Sequence, residues 1–211
     1  MGGVKLKSSE VQYESLLGCW IQSNLKWGKH ITELALKLKS RIVAIRHLKY
    51  VLPFQQRKIL AEGLVNSVLT YCLPLYGGCT RGEIKELQII QNMAARIVCH
   101  APRLASRSEM FNYLDWLTVT QMISYFTLIA VYRIQKTKEP EYFSGTFSNL
   151  NHRGNIIFQN TKLTLAKNSF GIRGGVDWNL LPSSVKNEAN VSSFKKSLRK
   201  WVKENTPQFL D

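Results

Sequence analysis

Aspartate is almost missing from this chain: Asp115, Asp177 and Asp211 are the only three in 211 residues. Two-metal phosphoryl transfer needs clustered carboxylates that hold ions about 4 Å apart, and three widely spaced aspartates supply no such cluster. Self-contained polymerase or nuclease chemistry is therefore not expected, and no catalytic residue, metal ligand or cofactor is assigned. The chain also lacks a Walker loop, a dinucleotide fingerprint, a His-Glu-x-x-His pair and a nucleophile elbow. Its four cysteines, Cys19, Cys72, Cys79 and Cys99, include no C-x₂-C pair and no zinc spacing, which suits isolated thiols in a reduced compartment. Cys19 and Cys99 have apolar neighbours and are expected to be buried. The histidines His30, His47, His100 and His152 are isolated, and His30 and His47 read as polar residues near helix ends. Cys99 and His100 adjoin, but no acid is placed to orient them. No apolar run reaches the ~20 residues of a membrane span. The nearest, Val119 to Val131, is interrupted by Thr120, Gln121, Ser124 and Thr127. Lys5 and Lys7 are not followed by the apolar core of a secretory leader, so an intracellular chain without membrane contact is expected.

What is present is positive charge and enough apolar material for a core. Twenty-nine Lys and Arg stand against 14 Asp and Glu, a net charge of +15 with pI near 9.8, and 45% of residues are hydrophobic. A compact chain of this length buries roughly 70% of its unfolded surface. The net charges of residues 1–50, 51–100, 101–150 and 151–211 are +6, +2, +1 and +6. Both ends are basic and the middle is nearly balanced. That excess favours a polyanionic partner, because counterion release and long-range attraction both reward it.

The patterning predicts a mostly α chain of the α+β class. Val4–Leu6 and Leu16–Ile21 read as short strands. Ile31, Leu34, Ala35, Leu38, Ile42, Ile45 and Leu48 then recur at steps of three and four, predicting a helix over 29–49 with a basic outer side. Pro53 opens a second helix over 54–70, with Ile59, Leu60, Leu64, Val65, Val68 and Leu69 inward and Gly63 allowing close helix contact. Thr80 and Glu83 form a capping-box pattern before a helix over 81–98. Gln88, Gln91 and Asn92 interrupt its apolar seam. Ser106 or Arg107 opens a helix toward Leu114, and Thr118 precedes a longer one over 119–135. Residues 137–160, rich in Asn, Gly and Pro, read as exposed connection. A short strand over Thr161–Ala166, an aromatic turn around Phe170, Trp178 and Pro182, and a basic helix over Val191–Glu204 complete the chain.

An ordered series of motifs carries a family resemblance. Leu17-Gly18-Cys19-Trp20-Ile21, Leu25-Lys26-Trp27 and His30-Ile31 come first. Leu69-Thr70-Tyr71, Leu73-Pro74-Leu75-Tyr76-Gly77 and the run from Leu87 to Ile97 follow. Then come Leu114-Asp115-Trp116-Leu117, Arg153-Gly154, Phe170-Gly171-Ile172-Arg173, Trp178-Asn179-Leu180-Leu181-Pro182 and Phe194-Lys195-Lys196-Ser197-Leu198. Together, over about 15–200, they resemble the segment after the palm in reverse transcriptases of non-LTR retrotransposons, particularly the jockey and chicken-repeat groups.

The resemblance implies three parts: end-of-palm strands over 1–26, a thumb-like helical bundle over 27–138, and a small extension with a basic helix over 139–211. It implies a parent RNA-directed DNA polymerase whose catalytic aspartates and metal belong to a palm lying before residue 1 or on a separate chain. A cysteine-rich motif found after the polymerase in some relatives is absent. The expected partner is RNA or DNA, chiefly a primer–template duplex. Helices laid against that duplex place cations near phosphates and hold register without reading bases.

Three basic faces are candidates for this contact. Lys37, Arg41 and Lys49 form the first, Gln88 and Arg96 with Gln91 and Asn92 the second, and Lys196, Arg199, Lys200 and Lys203 the third. Each has an alternative: a solvated surface for the first and third, interhelical hydrogen bonding for Gln91 and Asn92. Trp27, Trp178, Pro182 and Phe194 are expected to be structural. The rival function is a helical protein-interaction scaffold retained or truncated from such an element.

Overall fold

The computed structural model describes residues 13–158 and 162–205. It is mostly helical, with one two-stranded sheet at the N-terminal end. β1 (Tyr13–Leu16) and β2 (Cys19–Gln22) pair antiparallel, with Leu16 opposite Cys19. Leu17 and Gly18 between them both have positive φ, the two-residue turn that matches strand twist. The single strand expected over Leu16–Ile21 is thus a hairpin bent at its glycine. The strand expected at Val4–Leu6 lies outside the described residues.

α1 (Gly28–His47) buries Ile31, Leu34, Ala35, Leu38, Ile42 and Ile45, as its spacing predicts. Leu48 falls just past its end and is exposed. The next helix is less regular: α2 (Phe54–Ala61) runs through a π-helical turn (Glu62–Asn66) into α3 (Ser67–Thr70). Its buried positions are Arg57, Ala61, Val65 and Leu69. A strict step of four drifts around an α-helix, and the widened π turn brings the later members back to the same face. Ile59, expected inside, lies off this row and is 58% exposed. Gly63 has open space where a Cβ would stand, so it serves no close helix contact.

α4 (Leu73–Tyr76) starts at a left-handed Cys72, with Pro74 in its first turn where a missing N–H costs nothing. The glycines after it are tightly enclosed. A Cβ on Gly77 would stand 2.4 Å from Arg173 Nη1, and one on Gly78 would stand 2.1 Å from the Asn168 carbonyl oxygen. α5 (Arg81–Cys99) opens with the capping box: Thr80 Oγ1 accepts from Glu83 N–H and Glu83 Oε2 accepts from Thr80 N–H. Ser106 caps α6 (Arg107–Leu114), and Thr118 with Gln121 forms a second capping box on α7 (Val119–Thr137).

Two corrections follow α7. Within the expected connection lies α8 (Glu141–Ser148), begun at Pro140. Phe143 and Phe147, four residues apart, meet Phe170 at ring-centroid distances of 5.0 and 5.5 Å. That aromatic pair outweighs the loop-like composition around it. In place of the strand at Thr161–Ala166 the chain forms a one-turn helix, α9 (Thr164–Lys167); Thr161 lies outside the described residues. The aromatic turn is itself helical, α10 (Phe170–Leu180), followed by α11 (Ser183–Lys186) and α12 (Val191–Glu204).

Two apolar interiors meet along α7. The first gathers α1 to α6 with Val119, Met122 and Ile123. The second gathers Leu128, Val131, Tyr132 and Ile134 with α8, α10 and α12. Tyr132 stacks on Phe194 at 4.1 Å, and Trp178 lies 6.1 Å from the same ring. No single helix among the described residues is long and apolar enough to cross a membrane; α6 and α7 pass such a test only together, and they meet at 42°.

Candidate nucleic-acid interface

The cations of α12 divide by what they meet. Phe194, Leu198 and Val202 bury one stripe, leaving Lys196 and Lys200 exposed one turn apart on the outer side. Arg199 and Lys203 face the other way, onto Asp115 at the C-terminal end of α6. Arg199 Nη2 reaches an Asp115 carboxylate oxygen at 3.0 Å and also donates to its carbonyl; Lys203 Nζ donates to the other carboxylate oxygen. The Lys203 hydrogen bond, aided by Arg199, holds the Asp115 carboxyl below the usual carboxylate range. The stripe of four thus splits into two lysines with no ion pair among the described residues and an acid-anchored pair.

On α1, Lys37 is exposed and Arg41 is half-buried, with its Nη1 donating to the Leu64 carbonyl at 2.8 Å. Lys49 lies beyond the helix end, its ammonium 5.3 Å from the centre of the Tyr50 ring. The three therefore do not form one helical face. Lys37 is the open cation, while Arg41 ties α1 to the π turn.

Gln88 is a correction. It is buried, and its whole amide serves the interior. Its Nε2 donates to Gln91 Oε1 at 3.1 Å and Asn92 Oδ1 at 2.9 Å, and its Oε1 accepts from Val119 N–H at 2.8 Å. Gln91 Nε2 donates to the Leu117 carbonyl at 3.0 Å. The first N–H groups of a helix have no partner within it, and α5 presses a glutamine against those of α7. Arg96, on the same helix, is half-buried, with its Nε enclosed and no hydrogen-bond partner for that atom.

Of the residues read as structural, Trp178 and Phe194 are buried, and Trp27 packs half-buried on the first interior. Pro182 precedes α11 on the surface. Two arginines prove more deeply structural than any of these. Arg57 is buried and donates to the Val98 carbonyl from Nε and Nη2, and to the Lys49 and Leu52 carbonyls from Nη1. It gathers three chain segments, and its one sequence signal is an arginine in the row that continues to Ala61, Val65 and Leu69. Arg173 donates from Nη2 to the Pro74 carbonyl at 2.6 Å, joining α10 to α4.

Burial pushes the Cys19 thiol up to about 11 and the Cys79 thiol up to about 12, so neither is a thiolate nucleophile at neutral pH. Cys19 is buried as expected, whereas Cys99 is half-buried. His30 is not the surface residue its place near a helix start suggested. It is buried against Tyr76, its Nδ1 accepts from Trp20 N–H, and burial holds its pKa below the usual histidine value. No three His, Cys, Asp or Glu side chains converge on a possible metal position among the described residues. No protein family, curated protein or solved structure matches this chain.

Proposed function

We propose that this chain is the non-catalytic C-terminal part of a non-LTR retrotransposon RNA-directed DNA polymerase, working inside the cell to hold a primer–template duplex against a palm supplied by another segment or chain. The observation that carries the reading is the ordered series of motifs from Leu17 to Leu198. Its physical support is a set of exposed cations that have no carboxylate partner among the described residues: Lys37 on α1, and Lys196 and Lys200 on α12. Such charges contact phosphates without base specificity and make affinity depend steeply on salt.

The test is fluorescence anisotropy with a labelled RNA–DNA primer–template duplex over a salt series. Binding should fall steeply as salt rises, and K196E/K200E should shallow the slope by about two, one for each lost phosphate contact. Arg41 and Arg199 are poor probes, because replacing either breaks a contact within the fold. Failure to bind at any salt, together with recovery of one protein partner through the exposed Leu36 and Val43 of α1, would replace this reading with the scaffold.

A further inference from the structure

A cavity of about 470 Å³ opens where the end of α7 meets the 148–154 connection and α11. Four Lys or Arg side chains, Lys136, Lys138, Arg153 and Lys186, line it together with His152, and among the described residues no carboxylate does. None of these five enters an ion pair among the described residues. Lys136 and Lys138 lie at the C-terminal end of α7, where helix carbonyls favour cations. That accounts for two of the charges. Arg153 and Lys186 arrive from two other elements, so the convergence belongs to the tertiary fold rather than to one helix end.

Lys186 is the most enclosed of the four. Its ammonium donates to Asn155 Oδ1 at 2.8 Å, and burial holds its pKa below the usual lysine value. Beneath the charges lie Tyr132, Phe147 and Trp178, all almost fully buried. Rings in that state cannot present a face for a base to stack on. The open wall therefore offers cationic N–H donors. A cleft of one sign over an apolar floor concentrates its field on an incoming counterion. Phosphoryl oxygens suit such a wall, because several donors can share them and a guanidinium can grip two at once. The volume falls within the ~300–1,000 Å³ of small-molecule sites, room for more than one phosphoryl group.

We propose that this cleft binds a phosphate-bearing ligand through Lys138, Arg153 and Lys186. The cleft is lined by none of Lys37, Lys196 and Lys200, and the proposal does not rest on the polymerase reading. Its phosphate can come from a free small molecule or from a polynucleotide.

The test titrates the full chain with pyrophosphate by calorimetry and, in parallel, with the RNA–DNA duplex by anisotropy. K138Q/R153Q is the main variant, since both side chains are exposed and neither makes a hydrogen bond within the described fold. K186Q is the second, and its amide can still reach Asn155. An unchanged thermal midpoint shows that each remains folded. Saturable pyrophosphate binding by the wild type, weakened at least 10-fold in both variants and unchanged in K37E, supports the site with a free phosphate as ligand. No pyrophosphate binding, but duplex affinity lowered at least 10-fold by K138Q/R153Q, supports it with a polynucleotide phosphate. If neither ligand distinguishes the variants from wild type, the proposal is overturned.

Discussion

On the N-terminal side of α7, long polar side chains run through the interior: Arg57 reaches three carbonyls, and Gln88 and Gln91 hold the start of α7. On the C-terminal side the corresponding work falls to rings, with Tyr132 on Phe194, and Phe143 and Phe147 on Phe170. Hydrogen bonds fix direction, so the first interior admits one register of its helices at the risk of orphaned polar groups. Stacked rings fix shape and bury more apolar surface per residue. The difference suits the sequence, because α9 to α12 are mostly short helices joined by brief connections, and large side chains fill the space between them and α7.

Phe194→Ala is the strongest blow against the ring-filled side. It removes the ring that meets both Tyr132 and Trp178 and should cost about 3–5 kcal/mol, measured by urea unfolding. Arg57→Met challenges the polar side. It fills similar volume but leaves the Val98, Lys49 and Leu52 carbonyls without their donor, and should cost about 3 kcal/mol in the same measurement. A loss below about 1 kcal/mol would mean that water replaces the guanidinium and that the contrast is overstated.

The third effect is smaller and depends on pH. Asp177 is buried on α10, where burial raises its carboxyl to about 6, opposed by Arg173 and a Ser124 hydrogen bond. Its folded-state pKa lies above the unfolded value near 3.8, so the folded chain holds the extra proton between the two. This carboxyl therefore adds stability as pH falls from about 6 toward 4 and withdraws it as pH rises. Asp177→Asn should remove that dependence, changing the wild-type-minus-variant stability by about 2 kcal/mol between pH 7 and pH 4. Parallel pH curves would show that Asp177 titrates as in the unfolded chain.

The helices with both periodic apolar residues and a chemical start signal were readable in advance. α5 has Thr80 and Glu83 and α7 has Thr118, and each begins where those residues place it. What stayed hidden depended on partners far along the chain. α8 is legible only through Phe143 and Phe147, whose partner Phe170 lies beyond a long polar stretch. The hairpin turn at Leu17-Gly18 sits inside an apolar run that reads as one strand. For the basic faces, residue type revealed charge but not its satisfaction. Arg199 and Lys203 resemble Lys196 and Lys200 until Asp115, 84 and 88 residues away, is brought beneath two of them. Gln88 looked like a surface amide for the same reason, its acceptor role being set by the distant start of α7.

The nineteen residues of α7 make a rod about 28 Å long. Its early turns belong to one interior and its later turns to the other. A break in the chain after Lys138 would leave Leu128, Val131 and Tyr132 on the first fragment, while the rings they cover travelled with the second. Neither fragment could close alone, and each would carry an adhesive face shaped to the other. The peptide link between α7 and α8 is thus dispensable to the architecture in a way that the rod is not.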